Sequence, residues 1–82
     1  MIGDNIKRIR ELEGITQEEL ADRACVSQYS VSSYEKGMTS PTVTVLFRLA
    51  KTLDIPVTSL LGIKTKFTTE ELERVLKRTL NL

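Results

Sequence analysis

The sequence predicts an all-α fold in which a compact bundle of five helices is followed by a C-terminal amphipathic helix. Ser and Thr residues stand beside apolar residues at several points where helices can start. Apolar residues recur at helical spacing between these points, and no two segments alternate as a pair of strands would. Because the chain has only 82 residues, we expect one small domain with one core.

The first helix is predicted to lie before Gly14 and to start near Asp4. Ile6, Ile9 and Leu12 recur at helical spacing and form its apolar side. Gly14 suits the left-handed conformation that often ends a helix.

The second and third helices are predicted to begin near residues 17 and 28. Thr16 and Glu19 form a capping-box pattern, in which each side chain bonds the backbone amide of the other residue. Ser27 is the expected cap of the third helix and lies between the apolar residues Val26 and Val31.

A short connection joins these two helices. Only residues 25–27 lie between them, and so few residues make the helices cross steeply. The contact positions of such a crossing hold apolar or small residues: Leu20, Ala21, Ala24, Val26, Val31 and Tyr34. Residues 17–36 are therefore predicted to form a helix-turn-helix motif.

The fourth helix is predicted over residues 43–53, because Thr42 can cap it and Pro41 cannot lie inside it. Residues 54–56, which include Pro56, end this helix. Residues 57–61 are long enough to form about one turn of a fifth helix. The last helix is predicted over residues 68–80 and begins with a second capping-box pattern, Thr68 with Glu71. Its apolar stripe consists of Leu72, Val75, Leu76 and Leu80.

Composition excludes several kinds of site. The chain has no His and only one Cys, so it has no His-based triad, no disulfide and no zinc site of clustered His and Cys. No apolar run approaches the length of a membrane span, and the N-terminal residues lack the pattern of a signal peptide. We therefore expect a soluble cytoplasmic protein. The net charge of +1 alone would not suggest DNA.

The third helix has a polar face that suits base recognition. At 100° per residue, Gln28, Tyr29, Ser32, Ser33 and Lys36 fall on the side opposite Val31 and Tyr34. A major groove admits one helix, and its base edges are read by side chains that donate and accept hydrogen bonds. Candidate base-reading residues are therefore Gln28, which suits adenine, Tyr29, Ser32 and Ser33.

Helix starts supply candidate contacts to the DNA backbone. Unpaired amides and the helix dipole bind anions there, which singles out Thr16 with Gln17 and Thr42 with Thr44. Lys36 is placed to reach another phosphate. Few charged side chains are then needed to bind DNA. The affinity for DNA should therefore depend only weakly on salt concentration.

The order and spacing of several segments resemble helix-turn-helix proteins of the phage repressor and Cro type, also called the xenobiotic-response-element (Xre) family. These segments are Ile9-Arg10, residues 14–21, Val26-Ser27, residues 34–37, Pro41, residues 53–55 and Leu60-Leu61. The resemblance covers residues 6–61. It implies a five-helix repressor-like bundle that binds operator DNA, usually as a dimer. Residues 62–82 follow this segment as a linker and a C-terminal helix that could serve dimerisation.

The resemblance also implies roles for individual residues. Gln17 would contact a backbone phosphate, and Arg10 and Glu35 would form a partly buried ion pair that holds the helices in register. The chain departs from the family at Cys25, where Gly is frequent. A left-handed backbone is therefore expected at Cys25, with a conformational cost of about 1 kcal/mol.

We expect a bacterial or phage transcriptional regulator that acts as a homodimer on a pseudo-palindromic, double-stranded DNA operator, with no cofactor, metal or small-molecule ligand. Candidate dimer contacts are Leu60, Leu61, Leu72, Val75, Leu76 and Leu80, although the stripe on the last helix could equally pack on its own domain. The alternative is a protein-interaction module of the same fold, which the low net charge would favour. An enzyme is the weakest hypothesis, since the carboxylates Asp4, Glu11, Glu13, Glu18, Glu19 and Asp22 accompany no nucleophile or metal spacing.

Overall fold

The structure, a computed structural model, describes residues 2–62 and 69–80. Its helices are α1 (Ile2–Leu12), α2 (Gln17–Ala24), α3 (Gln28–Glu35), α4 (Val43–Thr52), α5 (Val57–Leu61) and α6 (Thr69–Leu80). The described residues form no strand, and the predicted all-α class is confirmed. The predicted cap Thr68 lies outside the described residues, as do the side chains of Leu72, Leu76 and Leu80.

Side-chain caps begin the three central helices. The Thr16 hydroxyl accepts a hydrogen bond from the Glu19 amide at 3.0 Å, and the Thr16 amide donates to Glu19 Oε1 at 3.1 Å. The bond that the Thr16 amide donates to the Glu19 carboxylate, with a contribution from the Thr16 hydroxyl, holds the pKa of that carboxyl below its ordinary value. Ser27 and Thr42 accept bonds from the amides three residues later in α3 and α4. The predicted starts at residues 17, 28 and 43 are therefore correct.

The first helix begins at Ile2, two residues before the predicted start. Its N-terminal turn lies against the end of α3, because a Cβ atom built on Gly3 would lie 2.1 Å from the backbone oxygen of Tyr34. Only glycine permits this approach of two backbones. The first turn of α1 therefore takes part in a contact between segments distant in sequence, which its local pattern does not indicate.

Two non-glycine residues with a left-handed backbone end helices. Cys25, with φ of 58°, follows α2, as the resemblance implied. Asp54, with φ of 54°, follows α4, and the Ile55 amide then donates to the Ala50 carbonyl at 3.0 Å. Both residues close their helices by turning the chain sharply.

One hydrophobic core lies between the first five helices. It consists of Ile6, Ile9, Leu20, Ala21, Ala24, Val31, Leu46, Leu49, Ala50, Leu53, Val57 and Leu60. Leu60 has 0% of its surface exposed, so the expectation that it contacts a second subunit is wrong. Leu61, the neighbouring candidate, is half-buried. Contacts with α4 connect α6 to this bundle, and no helix in the described ranges is long and apolar enough to cross a membrane.

Candidate nucleic-acid interface

The turn between α2 and α3 fixes the two helices to each other. The Val26 amide donates to the Ala21 carbonyl at 3.0 Å, and the Cys25 amide donates to the Asp22 carbonyl at 3.3 Å. Ala21 and Val31 are buried where the helices meet. The predicted helix-turn-helix geometry is therefore present, and α3 is held as a rigid element on the bundle surface.

One side of α3 is open to solvent. Gln28 and Lys36 are exposed, Tyr29 is 77% exposed, and Ser32 is half-buried. Together they define the reading face. Their side chains make no hydrogen bond or ion pair within residues 2–62 and 69–80. The donors and acceptors of this face are therefore available to a ligand.

Ser33 does not belong to the reading face, which corrects one expectation. It is only 5% exposed, and its Oγ accepts a hydrogen bond from Thr39 Oγ1 at 2.9 Å. The helical wheel put Ser33 at the edge of the polar side, but the segment after α3 returns to cover that edge. Its hydroxyl is thus used within the chain instead of facing a base.

Arg10 and Glu35 form the ion pair that the resemblance implied. Arg10 Nε lies 2.7 Å from Glu35 Oε2 and its Nη2 lies 3.0 Å from Oε1, while its Nη1 donates to the Ile15 carbonyl at 2.9 Å. Their side chains are 11% and 3% exposed. This bidentate pair therefore joins α1 to the end of α3 and to the loop that leads into α2.

Gln17 contacts the same carboxylate, a contact that we did not foresee. Its Nε2 donates to Glu35 Oε1 at 3.1 Å. Arg10, Gln17 and Glu35 therefore form one network, called the frame below, which joins α1, α2 and α3. Glu35 takes one N–H of the Gln17 side-chain amide, so its second N–H is left for a phosphate, together with the first-turn backbone amides that the cap does not use.

The frame favours the charged form of its carboxylate. Burial alone would raise the pKa of Glu35, but the hydrogen bonds from Arg10 and Gln17 and the charge of Arg10 outweigh it. The pKa of Glu35 is therefore below its ordinary value. The bond to Glu35 also raises the pKa of Arg10. Both groups remain charged at neutral pH.

The starts of α2 and α4 differ as anion sites. Thr16 and Thr44 are exposed near these starts, and Thr42 caps α4. The first turn of α2 carries two carboxylates, Glu18 and Glu19, whereas the first turn of α4 has no acidic residue. Because carboxylates repel an approaching phosphate, α4 offers the more favourable helix terminus. The described residues contain no group of His, Cys, Asp and Glu that could hold a metal.

Comparison with protein families gives one match that spans most of the bundle. The model described as "Helix-turn-helix" matches residues 6–60. Over 55 residues, the chain is 42% identical to an uncharacterised HTH-type transcriptional regulator, y4dJ of Sinorhizobium fredii. That alignment covers 67% of this chain and 71% of the relative.

The regulator SinR is similar in both sequence and structure. The chain is 37% identical over 65 residues to SinR of Bacillus subtilis, an alignment that covers 78% of this chain and 59% of the length of SinR. A solved structure of the N-terminal DNA binding domain of SinR from Bacillus subtilis superposes with a TM-score of 0.72 and 34% identity. It covers 80% of this chain and 97% of that domain.

Proposed function

Since this chain belongs to the helix-turn-helix family and is a DNA-binding transcriptional regulator, we propose that it reads a pseudo-palindromic operator with α3 in the major groove. The observation that carries the proposal is the reading face: polar side chains without partners in the described chain, on a helix whose other side is fixed by the core and the frame. Rigid placement matters because base-edge hydrogen bonds depend on direction and distance.

Three side chains of the reading face are proposed to contact bases. Gln28 suits adenine, since its amide donates to N7 while accepting from the N6 amino group. Ser32 offers a short hydroxyl that donates or accepts, and Tyr29 offers a ring edge beside its hydroxyl. These contacts would determine which sequence is bound.

Contacts to the DNA backbone are proposed at the two helix starts and at the end of α3. Thr42 and Thr44 lie at the start of α4, and Thr16 with Gln17 lies at the start of α2. Lys36 is exposed beyond the last turn of α3 and supplies one charge. Such contacts fix position on the duplex but carry no sequence information.

The mechanism that we propose is occupancy of a promoter region, without a catalytic step and without a cofactor. A regulator of this class acts where the chromosome lies, so location in the cytoplasm is part of the proposal. Selection of bound sequences from a pool of random duplex DNA tests it. We expect two related half-sites about 34 Å apart, one helical turn of DNA; a pool that shows no enrichment would contradict sequence-specific binding.

A homodimer is proposed to bring two reading faces to these half-sites. A single module of this size buries little DNA, and two-fold pairing doubles the contacts. Leu61 is half-buried and Val75 is 50% exposed, so both keep apolar surface for a partner. Leu72, Leu76 and Leu80 remain candidates by their position in the predicted stripe.

Sedimentation equilibrium of the full chain tests the dimer. We expect Val75→Asp to lower the particle mass towards that of a monomer and to weaken operator binding. Arg74→Gln is the matched control, because it changes the net charge by the same amount at the neighbouring exposed position. Equal masses for Val75→Asp and the unmodified chain would exclude Val75 from the interface.

A further inference from the structure

Two large apolar side chains are exposed on or next to the reading face. Four such side chains are exposed in the described ranges, namely Leu12, Tyr29, Met38 and Val75. Tyr29 lies in the first turn of α3, and Met38 lies three residues beyond its last residue, with 67% of its surface exposed. The helix that carries the reading face is thus bordered by apolar groups at both ends.

The turn after α3 holds Met38 in a fixed place. The Gly37 amide donates to the Tyr34 carbonyl and the Met38 amide donates to the Ser33 carbonyl, both at 3.0 Å, with a φ of +74° at Gly37. In such a turn, the residue at the Met38 position usually packs on an apolar side chain at the Ser33 position. Here a serine stands there and bonds Thr39, so the turn provides no apolar partner for Met38.

This turn lies along a definite edge of the reading face. Tyr29 and Ser33 are four residues apart, so they occupy neighbouring positions on one side of α3, about one 5.4 Å turn apart. Thr39 bonds Ser33 and thereby covers the helix at that place. The segment with Met38 and Thr39 therefore borders the reading face on the same edge as Tyr29.

We propose that Tyr29 and Met38 form an apolar edge that recognises thymine methyl groups, and that the hydrogen bond between Thr39 and Ser33 positions Met38 for this contact. The C5-methyl of thymine is the apolar group that an unmodified base pair presents in the major groove. Residues 37–44 carry no charged side chain, so the edge offers apolar groups and hydroxyls to DNA instead of cations. The proposal rests on the proposed function, since it requires α3 in the groove.

Replacement of thymine by deoxyuridine in the selected duplex tests the edge, because it removes the methyl group and leaves the hydrogen-bonding groups. For the unmodified protein we expect an affinity about fourfold lower for each methyl that is contacted. Met38→Ala should bind both duplexes with a smaller difference. Leu12→Ala is the matched control, since Leu12 is 75% exposed and belongs to α1; it should keep the full difference.

The positioning role of the hydroxyl pair needs its own variants. Thr39→Val removes the donor at nearly constant shape, whereas Thr39→Ser keeps it. We expect Thr39→Val to lose much of the preference for the thymine duplex and to unfold at a somewhat lower midpoint, because the hydroxyl of the buried Ser33 loses its partner. Thr39→Ser should keep the preference and the midpoint, and both variants are titrated well below their unfolding midpoints. Equal behaviour of the two variants would contradict the positioning role.

Two outcomes would overturn the apolar edge: equal binding of the thymine and deoxyuridine duplexes by the unmodified protein, or a full methyl preference in Met38→Ala. The proposed function fails differently. In that case the random pool would show no enrichment, or Gln28→Ala would weaken specific and random duplex equally. Enriched half-sites with no methyl dependence would therefore reject the edge alone.

Discussion

Glu35, at the end of α3, accepts hydrogen bonds from side chains of α1 and α2, whereas Gln28 and Tyr29, at its start, make no side-chain hydrogen bond within residues 2–62 and 69–80. The frame and the reading face thus share one short helix. The polar groups of the frame are hydrogen-bonded within the protein, whereas those of the reading face have no partner in the described residues. Satisfied polar groups hold a structure together, and unused ones are available for recognition. Stability and sequence preference should therefore respond to different substitutions.

Breaking the frame should have the largest effect. Arg10→Ala or Glu35→Ala leaves the partner charge buried, and we expect a loss of roughly 3–5 kcal/mol in the free energy of unfolding. Denaturant unfolding of both single variants and the double variant measures the coupling. Additive losses would mean that the two side chains do not interact.

Acid should weaken the frame without a substitution. Because the folded-state pKa of Glu35 is lowered, its contribution to stability is complete above the ordinary pKa of a glutamate, about 4.3, and is lost as the pH falls through the lower folded-state value. Stability measured against pH should therefore decline in this acid range. Glu35→Gln should flatten that part of the curve, and an unchanged slope would assign the decline to other carboxylates.

On the reading face, Gln28→Ala should weaken binding to the selected duplex by about 1–3 kcal/mol and relax the preference at one base position. Its unfolding free energy should be almost unchanged, because Gln28 is exposed and without a partner in the described ranges. Titrations of specific and random duplex give the comparison. Gln17→Ala is the comparison variant, because it replaces the same residue type. We expect it to weaken binding to the specific and the random duplex by similar factors; weaker binding to the specific duplex alone would indicate that Gln17 contacts a base.

The smallest effect is expected at the turn between α2 and α3. Cys25 is held at a φ of 58°, and Cys25→Gly should relieve that conformation and raise stability by up to about 1 kcal/mol. The greater freedom of glycine in the unfolded chain offsets part of this gain. Cys25→Ala keeps a Cβ atom and should show no such gain in denaturant unfolding; an equal gain would exclude backbone strain as the cause.

Much of the fold could be predicted because its signals are local. Caps at Thr16, Ser27 and Thr42 involve residues three positions away, so the residues themselves specify where three helices begin. The exposed part of the reading face followed from helical spacing in the same way, for Gln28 and Tyr29. The ion pair of Arg10 and Glu35 was expected only through the family resemblance, since its members are 25 residues apart.

The sequence by itself determined the all-α class, the starts of α2, α3 and α4, and the helix-turn-helix motif, because each depends on patterns within a few residues. Only the tertiary structure decided the partners of Ser33, Gln17, Gly3 and Leu60. Ser33 is covered by the turn after α3, Gln17 bonds a carboxylate on another helix, Gly3 lies against a distant backbone, and Leu60 lies in the core. Each outcome depends on how complete helices pack, and a helical wheel contains no information about which neighbour covers which side.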